Sequence, residues 1–223
     1  MNVAQLWILG SARHPELLDR WSDLDVGLVL TGSVQLSSLL PGGSSVWSLD
    51  RQFSSTRSTC RIVLADGRRL DLVVAGSGEF DLAGGRCAYS DGPAYATTTG
   101  VLVTDEPPDA TVNEVRFIAA QALVKFGRGD HLIGSHLSLE LAQFCLVEAM
   151  HLRDRDEGTT SHRFGTDRDD LASDIWAVLQ ERVIDAGMTR IKRLVEHFDR
   201  WHTEVDERYV PDWSGLESLA RGL

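Results

Sequence analysis

Apolar residues fall in short runs along the first third of the chain and at helical spacing along its second half. Gln5 to Leu9 is too short a run for a helix and predicts a strand. Asp23 to Leu30 predicts a second strand, apolar but for two acids near its start. Ala12 to Trp21, between them, mixes polar and apolar positions and predicts a partly helical segment. Thr31 to Pro41 predicts a short helix that stops at the Pro41-Gly42-Gly43 turn signal. Val46-Trp47-Ser48-Leu49 reads as a further strand. Arg61-Ile62-Val63-Leu64 and Leu70-Asp71-Leu72-Val73-Val74 flank Ala65-Asp66-Gly67-Arg68, which predicts a hairpin closed by an Asp-Gly turn.

Residues 75–110 are rich in Gly, Ser, Asp and Pro and hold one predicted strand, Gly100 to Val103. Asp105-Glu106-Pro107-Pro108-Asp109 reads as a linker. Thr111 and Glu114 have capping-box spacing ahead of an apolar run. Helical periodicity follows over 112–127, 131–154, 169–186 and 188–208, with a short helix near 214–221. Arg153 to Asp170 is charged and glycine-containing, and reads as a loop. Trp176 and Trp201 are expected in the core. The fold class is therefore α+β: a mixed-sheet domain over 1–108 and an α-helical bundle domain over 109–223. No internal repeat or low-complexity tract is visible.

At 223 residues the chain can bury a sizeable core, and 43% hydrophobic with 25% charged residues is an ordinary globular composition. The net charge of −11 argues against a nucleic-acid partner, because phosphate backbones are bound by an excess of Lys and Arg. It suits a cationic small molecule, and equally a merely acidic surface. Cys60, Cys87 and Cys145 lack metal-ligand spacing and read as reduced thiols. No apolar run reaches membrane-spanning length, and the first residues form no secretory leader, so the expected compartment is the cytoplasm.

The chemistry concentrates at three places. Asp23 and Asp25 are two apart, so on a strand both carboxylates leave one face. Asp71 lies in the second apolar run of the hairpin. If the strands pair, three carboxylates converge, and their mutual repulsion calls for a cation. Oxygen-only ligands favour Mg²⁺. Gly10-Ser11 forms a small turn after the first strand, where backbone N–H groups and a hydroxyl can meet an anion. Together these parts describe a site for a metal ion and a triphosphate.

Trp7-Ile8-Leu9-Gly10-Ser11, then Ser22-Asp23-Leu24-Asp25-Val26, then Asp71 resembles the signature of the polymerase-β-type nucleotidyltransferase superfamily. Within it, Val63-Leu64-Ala65-Asp66-Gly67-Arg68-Arg69-Leu70-Asp71-Leu72 resembles the bacterial aminoglycoside 6-adenylyltransferases. The resemblance covers about residues 5–75. It implies Asp23, Asp25 and Asp71 as metal ligands and catalytic residues, with Gly10 and Ser11 on the β- and γ-phosphates. Two-domain relatives bring a basic residue from the helical domain to the triphosphate, a role open here to Lys125 or Arg128. Some antibiotic nucleotidyltransferases use a helical-domain Glu as general base, which Glu140 matches. Relatives also carry a helix ahead of the first strand, whereas this strand starts almost at Met1.

The expected activity is Mg²⁺-dependent transfer of AMP, or another nucleoside monophosphate, from ATP or another triphosphate to a hydroxyl of a small molecule. The resemblance makes that acceptor an aminoglycoside or lincosamide antibiotic. Two metal ions about 3.5–4 Å apart would clamp the attacking and leaving oxygens. The acceptor is expected between the carboxylate strands and segment 112–154, against acids such as Glu140 or Glu148. Two other readings stand beside this one: an antitoxin-like protein adenylyltransferase, and an inactive nucleotide-binding module. The helical half counts against the first, and the retention of all three carboxylates against the second.

Overall fold

The computed structural model describes residues 2–222 except 41, 43, 55, 94, 95, 106, 108, 181 and 182, and except the side chains of 183–186. The fold is α+β. Six strands form a mixed sheet: β1 (Val3–Ile8), β2 (Leu24–Leu30), β4 (Val46–Phe53), β5 (Ser58–Leu64), β6 (Arg69–Val74) and β7 (Arg86–Ser90). Their order is β4-β5-β6-β2-β1-β7. β2 and β6 run parallel, and every other neighbouring pair is antiparallel. Two short strands, β3 (Val34–Gln35) and β8 (Leu102–Val103), pair separately. The helices are α1 (Ser77–Leu82), α2 (Ala110–Gly127), α3 (His131–Glu157), α4 (Leu171–Leu179), α5 (Val183–Val205) and α6 (Ser214–Arg221). None of the described helices is long and apolar enough to cross a membrane.

The chain forms two compact units, 1–117 with 214–223, and 118–213. In the first, period-two alternation sorts the sheet into two faces. Val26, Leu28, Leu72, Val74, Ile62 and Leu64 pack on one face with Val34 and Leu36. Trp7, Val29, Val73 and Ala75 pack on the other with Phe80 of α1. Asp25 and Asp71 have the parity of this second face. The first turn of α2 is stitched to β4: the Asn113 side chain accepts from Leu49 N at 2.9 Å and donates to Leu49 O at 2.8 Å.

In the second unit α3 packs along α5. Ile191, Leu194, Val195, Phe198 and Trp201 recur at helical spacing and are buried on α5, as are Leu141, Ala142, Cys145 and Leu152 on α3. Gly158, in the left-handed region at φ 66°, ends α3. All three cysteines are free.

Several expectations are corrected. Of the helix expected over Thr31 to Pro41, only a 3-10 turn at Leu36–Ser38 forms, and Pro41 lies outside the described residues. Before that turn Val34 N donates to Val101 O at 3.0 Å, and pairing with β8 overrides the local preference. Two elements in 75–110 were not expected. α1 buries chiefly Phe80, and β7 is exposed at all five residues, so neither carries a periodic apolar signal. Of the proposed linker, Glu106 and Pro108 lie outside the described residues. Asp109, not Thr111, caps α2, with Oδ1 accepting from Val112 N at 2.9 Å. The expected helix break near 187 is absent. Gly187 lies inside α5 against the Phe126 ring, where a Cβ would not fit, so this glycine serves packing rather than a stop. Trp201 is 1% exposed, as expected of core, but Trp176 is 60% exposed.

Candidate active site

Asp25 and Asp71 are direct register partners across the parallel β2–β6 pair. Adjacent strands lie about 4.8 Å apart, so two carboxylates on one face at one register position must interact. Asp23 precedes β2 rather than lying in it, so strand alternation does not fix its direction. Its Oδ2 is 3.1 Å from Nη2 of Arg69. Burial raises the Asp25 carboxyl above the ordinary range; the Asp23 charge adds to this and Arg69 opposes it. Burial likewise pushes Asp71 up to about 6, with Asp23 and Asp25 adding and Arg61 and Arg69 opposing. Asp25 and Asp71, both raised and both facing the Asp23 charge, belong to one electrostatic cluster.

Gly10 and Ser11 follow β1 directly, in a short 3-10 turn over Gly10–Arg13. Leu9 N donates to Asp25 O at 3.0 Å and holds this turn against β2. Gly10 has φ +49°, and a Cβ built on it would overlap Oδ2 of Asp25. Only glycine lets the turn lie on that carboxylate. Arg13 closes the turn, donating through Nε to Gly10 O at 3.2 Å and through Nη1 to Gly84 O.

Two arginines complete the cluster, and the sequence reading missed both. Arg69 is buried, its side chain 4% exposed, and its Nη2 also donates to Trp21 O at 2.7 Å. Arg61, opposite Asp71 in the β5–β6 hairpin, places Nε 3.6 Å from Asp71 Oδ2. Its Nη1 is 3.5 Å from Oδ2 of Asp50, the facing residue on β4. The Asp-Gly turn carried the signal, because a hairpin closed there sets Arg61 across from Asp71.

The donor set is hard oxygen only, the chemistry that suits Mg²⁺. As arranged, the outer carboxylates face Arg69 and Arg61, and among the described residues no three His, Cys, Asp or Glu side chains are disposed to hold a metal ion. Asp23, Asp25 and Asp71 match such an ion by donor type, and register brings Asp25 and Asp71 alone side by side. A cavity of about 460 Å³ also opens in this unit. Its lining joins aliphatic side chains, Val26, Leu28, Leu70 and Leu72, to polar ones that include Asp23 and Arg69 of the cluster.

The other candidates lie in the second unit. Lys125 pairs with Asp130 at 3.5 Å near the end of α2, and Arg128 follows that helix. Glu140 is on the surface of α3, its Oε1 3.1 Å from His136 Nε2 one turn earlier. Glu148, expected on an acceptor wall, is buried, with Oε1 3.3 Å from His202 Nδ1. After α3, Arg168 Nε lies 2.7 Å from Asp156 Oδ2, and His162 Nε2 lies 2.6 Å from Asp154 Oδ1.

No protein-family model matches the chain. No curated protein matches it either. Among solved structures, it is similar to an aminoglycoside 6-adenyltransferase from Bacillus subtilis at 10% identity and a TM-score of 0.37, covering 99% of this chain and 91% of that one. A likeness at that level carries no argument about activity.

Proposed function

We propose that the protein is a nucleotidyltransferase that moves a nucleoside monophosphate, AMP in the first instance, from a triphosphate to a hydroxyl of a small molecule. One observation carries the reading: Asp25 and Asp71 are register partners on parallel strands, with the Gly10 turn lying on the Asp25 carboxylate. A strand pair devoted to structure gains nothing from two half-buried acids side by side, which repel each other.

The acceptor oxygen attacks the α-phosphorus. An O–P bond forms, the bond from the α-phosphorus to the bridging oxygen breaks, and pyrophosphate leaves with that electron pair. Asp71 is the group proposed to take the hydroxyl proton, since a carboxyl near 6 is ionised and still basic at neutral pH. Backbone N–H groups at Gly10 and Ser11, with the Ser11 hydroxyl, are proposed to hold the β- and γ-phosphates. Lys125 or Arg128 is proposed to neutralise the triphosphate, and Glu140 to meet the acceptor. Mg²⁺ held by Asp23, Asp25 and Asp71 would acidify the acceptor hydroxyl and offset charge on the leaving pyrophosphate.

The net charge of −11 supports a polycationic acceptor such as an aminoglycoside, with a lincosamide as the neutral-leaning alternative. The test is mass spectrometry of an aminoglycoside and lincosamide panel incubated with the protein, ATP and Mg²⁺. One acceptor is expected to gain a nucleoside monophosphate, with matching pyrophosphate. A mass gain on protein instead would favour a protein adenylyltransferase. No nucleotide consumption with any acceptor would defeat the transferase reading.

A further inference from the structure

We propose that Arg61 is a built-in, exchangeable counter-ion of the carboxylate cluster: it rests between Asp71 and Asp50, and it withdraws onto Asp50 when a divalent cation comes to Asp71. This rests on the metal-binding part of the reading above and adds a control to it.

The two arginines at the cluster differ in how firmly they are held. Arg69 is buried and fixed twice, at Asp23 and at the Trp21 carbonyl. Moving it would leave a buried carbonyl and a carboxylate without that donor, which is costly. Arg61 is 41% exposed on its side chain and spans two carboxylates, Nε at 3.6 Å from Asp71 and Nη1 at 3.5 Å from Asp50. Both distances are those of loose ion pairs rather than tight hydrogen bonds. Asp50, Arg61 and Asp71 are consecutive register partners across β4, β5 and β6, so they form one row on one sheet face. Asp50 is a ready second seat, its Oδ2 also accepting from Gln52 Nε2 at 3.3 Å.

This division of labour removes a difficulty. Three clustered acids without a cation would repel one another. Arg69 and Arg61 supply positive charge in the metal-free protein, so the cluster stays assembled. A guanidinium beside Asp71 also opposes an arriving cation, both by charge and by covering an oxygen. A cation therefore binds at the expense of the Arg61–Asp71 pair, and Asp50 lowers that expense. Asp50 acts only through Arg61 and is a positioning residue.

The test is titration of the full chain with Mn²⁺ alone, read by electron paramagnetic resonance and by thermal melting. Arg61→Gln is expected to bind Mn²⁺ roughly two- to five-fold more tightly, the scale of an exposed ion pair. Asp50→Asn is expected to bind it more weakly by a similar factor, because Arg61 then has only Asp71. Asp50→Glu should restore wild-type affinity. The double variant should match Arg61→Gln alone, since Asp50 has nothing to act through. Weaker or unchanged binding in Arg61→Gln overturns the proposal, as does an Asp50→Asn effect that persists without Arg61. If wild type and Asp25→Asn bind Mn²⁺ equally or not at all, the metal site itself fails and the exchange fails with it. Circular dichroism of each variant separates loss of affinity from loss of fold.

Discussion

Asp71 and Arg61 face each other across the β5–β6 hairpin, with the Arg61 Nε 3.6 Å from the Asp71 carboxylate. Asp71 thus has an acid, Asp25, on one side and a cation on the other, both set by strand register. The cluster is neither a bare set of repelling acids nor a fully neutralised ion-pair network. Burial and the two neighbouring acids outweigh the arginines, because Asp71 ends up raised rather than lowered.

Asp25 makes no ion pair among the described residues, and its charge is opposed by burial and by Asp23. Asp25→Asn should therefore cost activity without costing stability. Pyrophosphate release should fall by about 10²–10³-fold or more, the scale of losing a preorganised electrostatic group. The metal-free melting temperature at neutral pH should hold or rise. A melt that drops together with activity would mark Asp25 as structural.

Gly10→Ala tests the turn against the same carboxylate. The residue sits at φ +49°, and its new Cβ would overlap Asp25 Oδ2. Left-handed backbone and displaced carboxylate together should cost about 1–3 kcal/mol. Adding Asp25→Gly clears the overlap. The two changes should then couple by about 0.5–3 kcal/mol in a double-mutant cycle by urea unfolding. Strict additivity would mean that the turn and Asp25 do not meet.

Much of this cluster was legible before the fold was known. Asp25 and Asp71 each sit in an apolar strand run, and Gly10 follows a third, so period-two alternation and one turn sufficed. Asp23 was only partly legible: it lies outside β2, and Arg69 rather than strand geometry orients it. Arg61 and Asp50 escaped notice because a lone charge on a strand looks like surface until register names its neighbour. In the rest of the fold, the signals that failed were those overridden by tertiary contact. Val34 joined β8 instead of a helix, and Gly187 accommodated Phe126 instead of ending one. Trp176 shows the converse, a large apolar side chain left 60% exposed.

Glu140 tests the acceptor side. Its carboxylate is half-exposed on α3, with His136 at 3.1 Å. Against a confirmed cationic acceptor, Glu140→Gln should raise the acceptor KM roughly two- to five-fold, as loss of an exposed charge pair does. The ATP KM should not change. A hundredfold fall in kcat would make Glu140 the base in place of Asp71, and wild-type kinetics would make it a helix-surface residue.

The pH dependence of stability tests Asp71. Its carboxyl is raised in the fold to about 6, from an ordinary value of 3.8. Between those values the native state binds the proton and the unfolded chain does not. The slope of unfolding free energy with pH is then negative for this group. Its contribution is fully present below about 4, is lost as pH rises toward 6, and stays lost above that. At 1.36 kcal/mol per unit, the loss is at most about 3 kcal/mol in metal-free protein. Asp71→Asn should flatten urea-unfolding stability across pH 4–6 relative to wild type, where other carboxylates add their own dependence. Mg²⁺ should flatten it too, by favouring the ionised form in the native state. A variant whose stability profile keeps the wild-type slope in that window would show that Asp71 titrates as an ordinary surface acid.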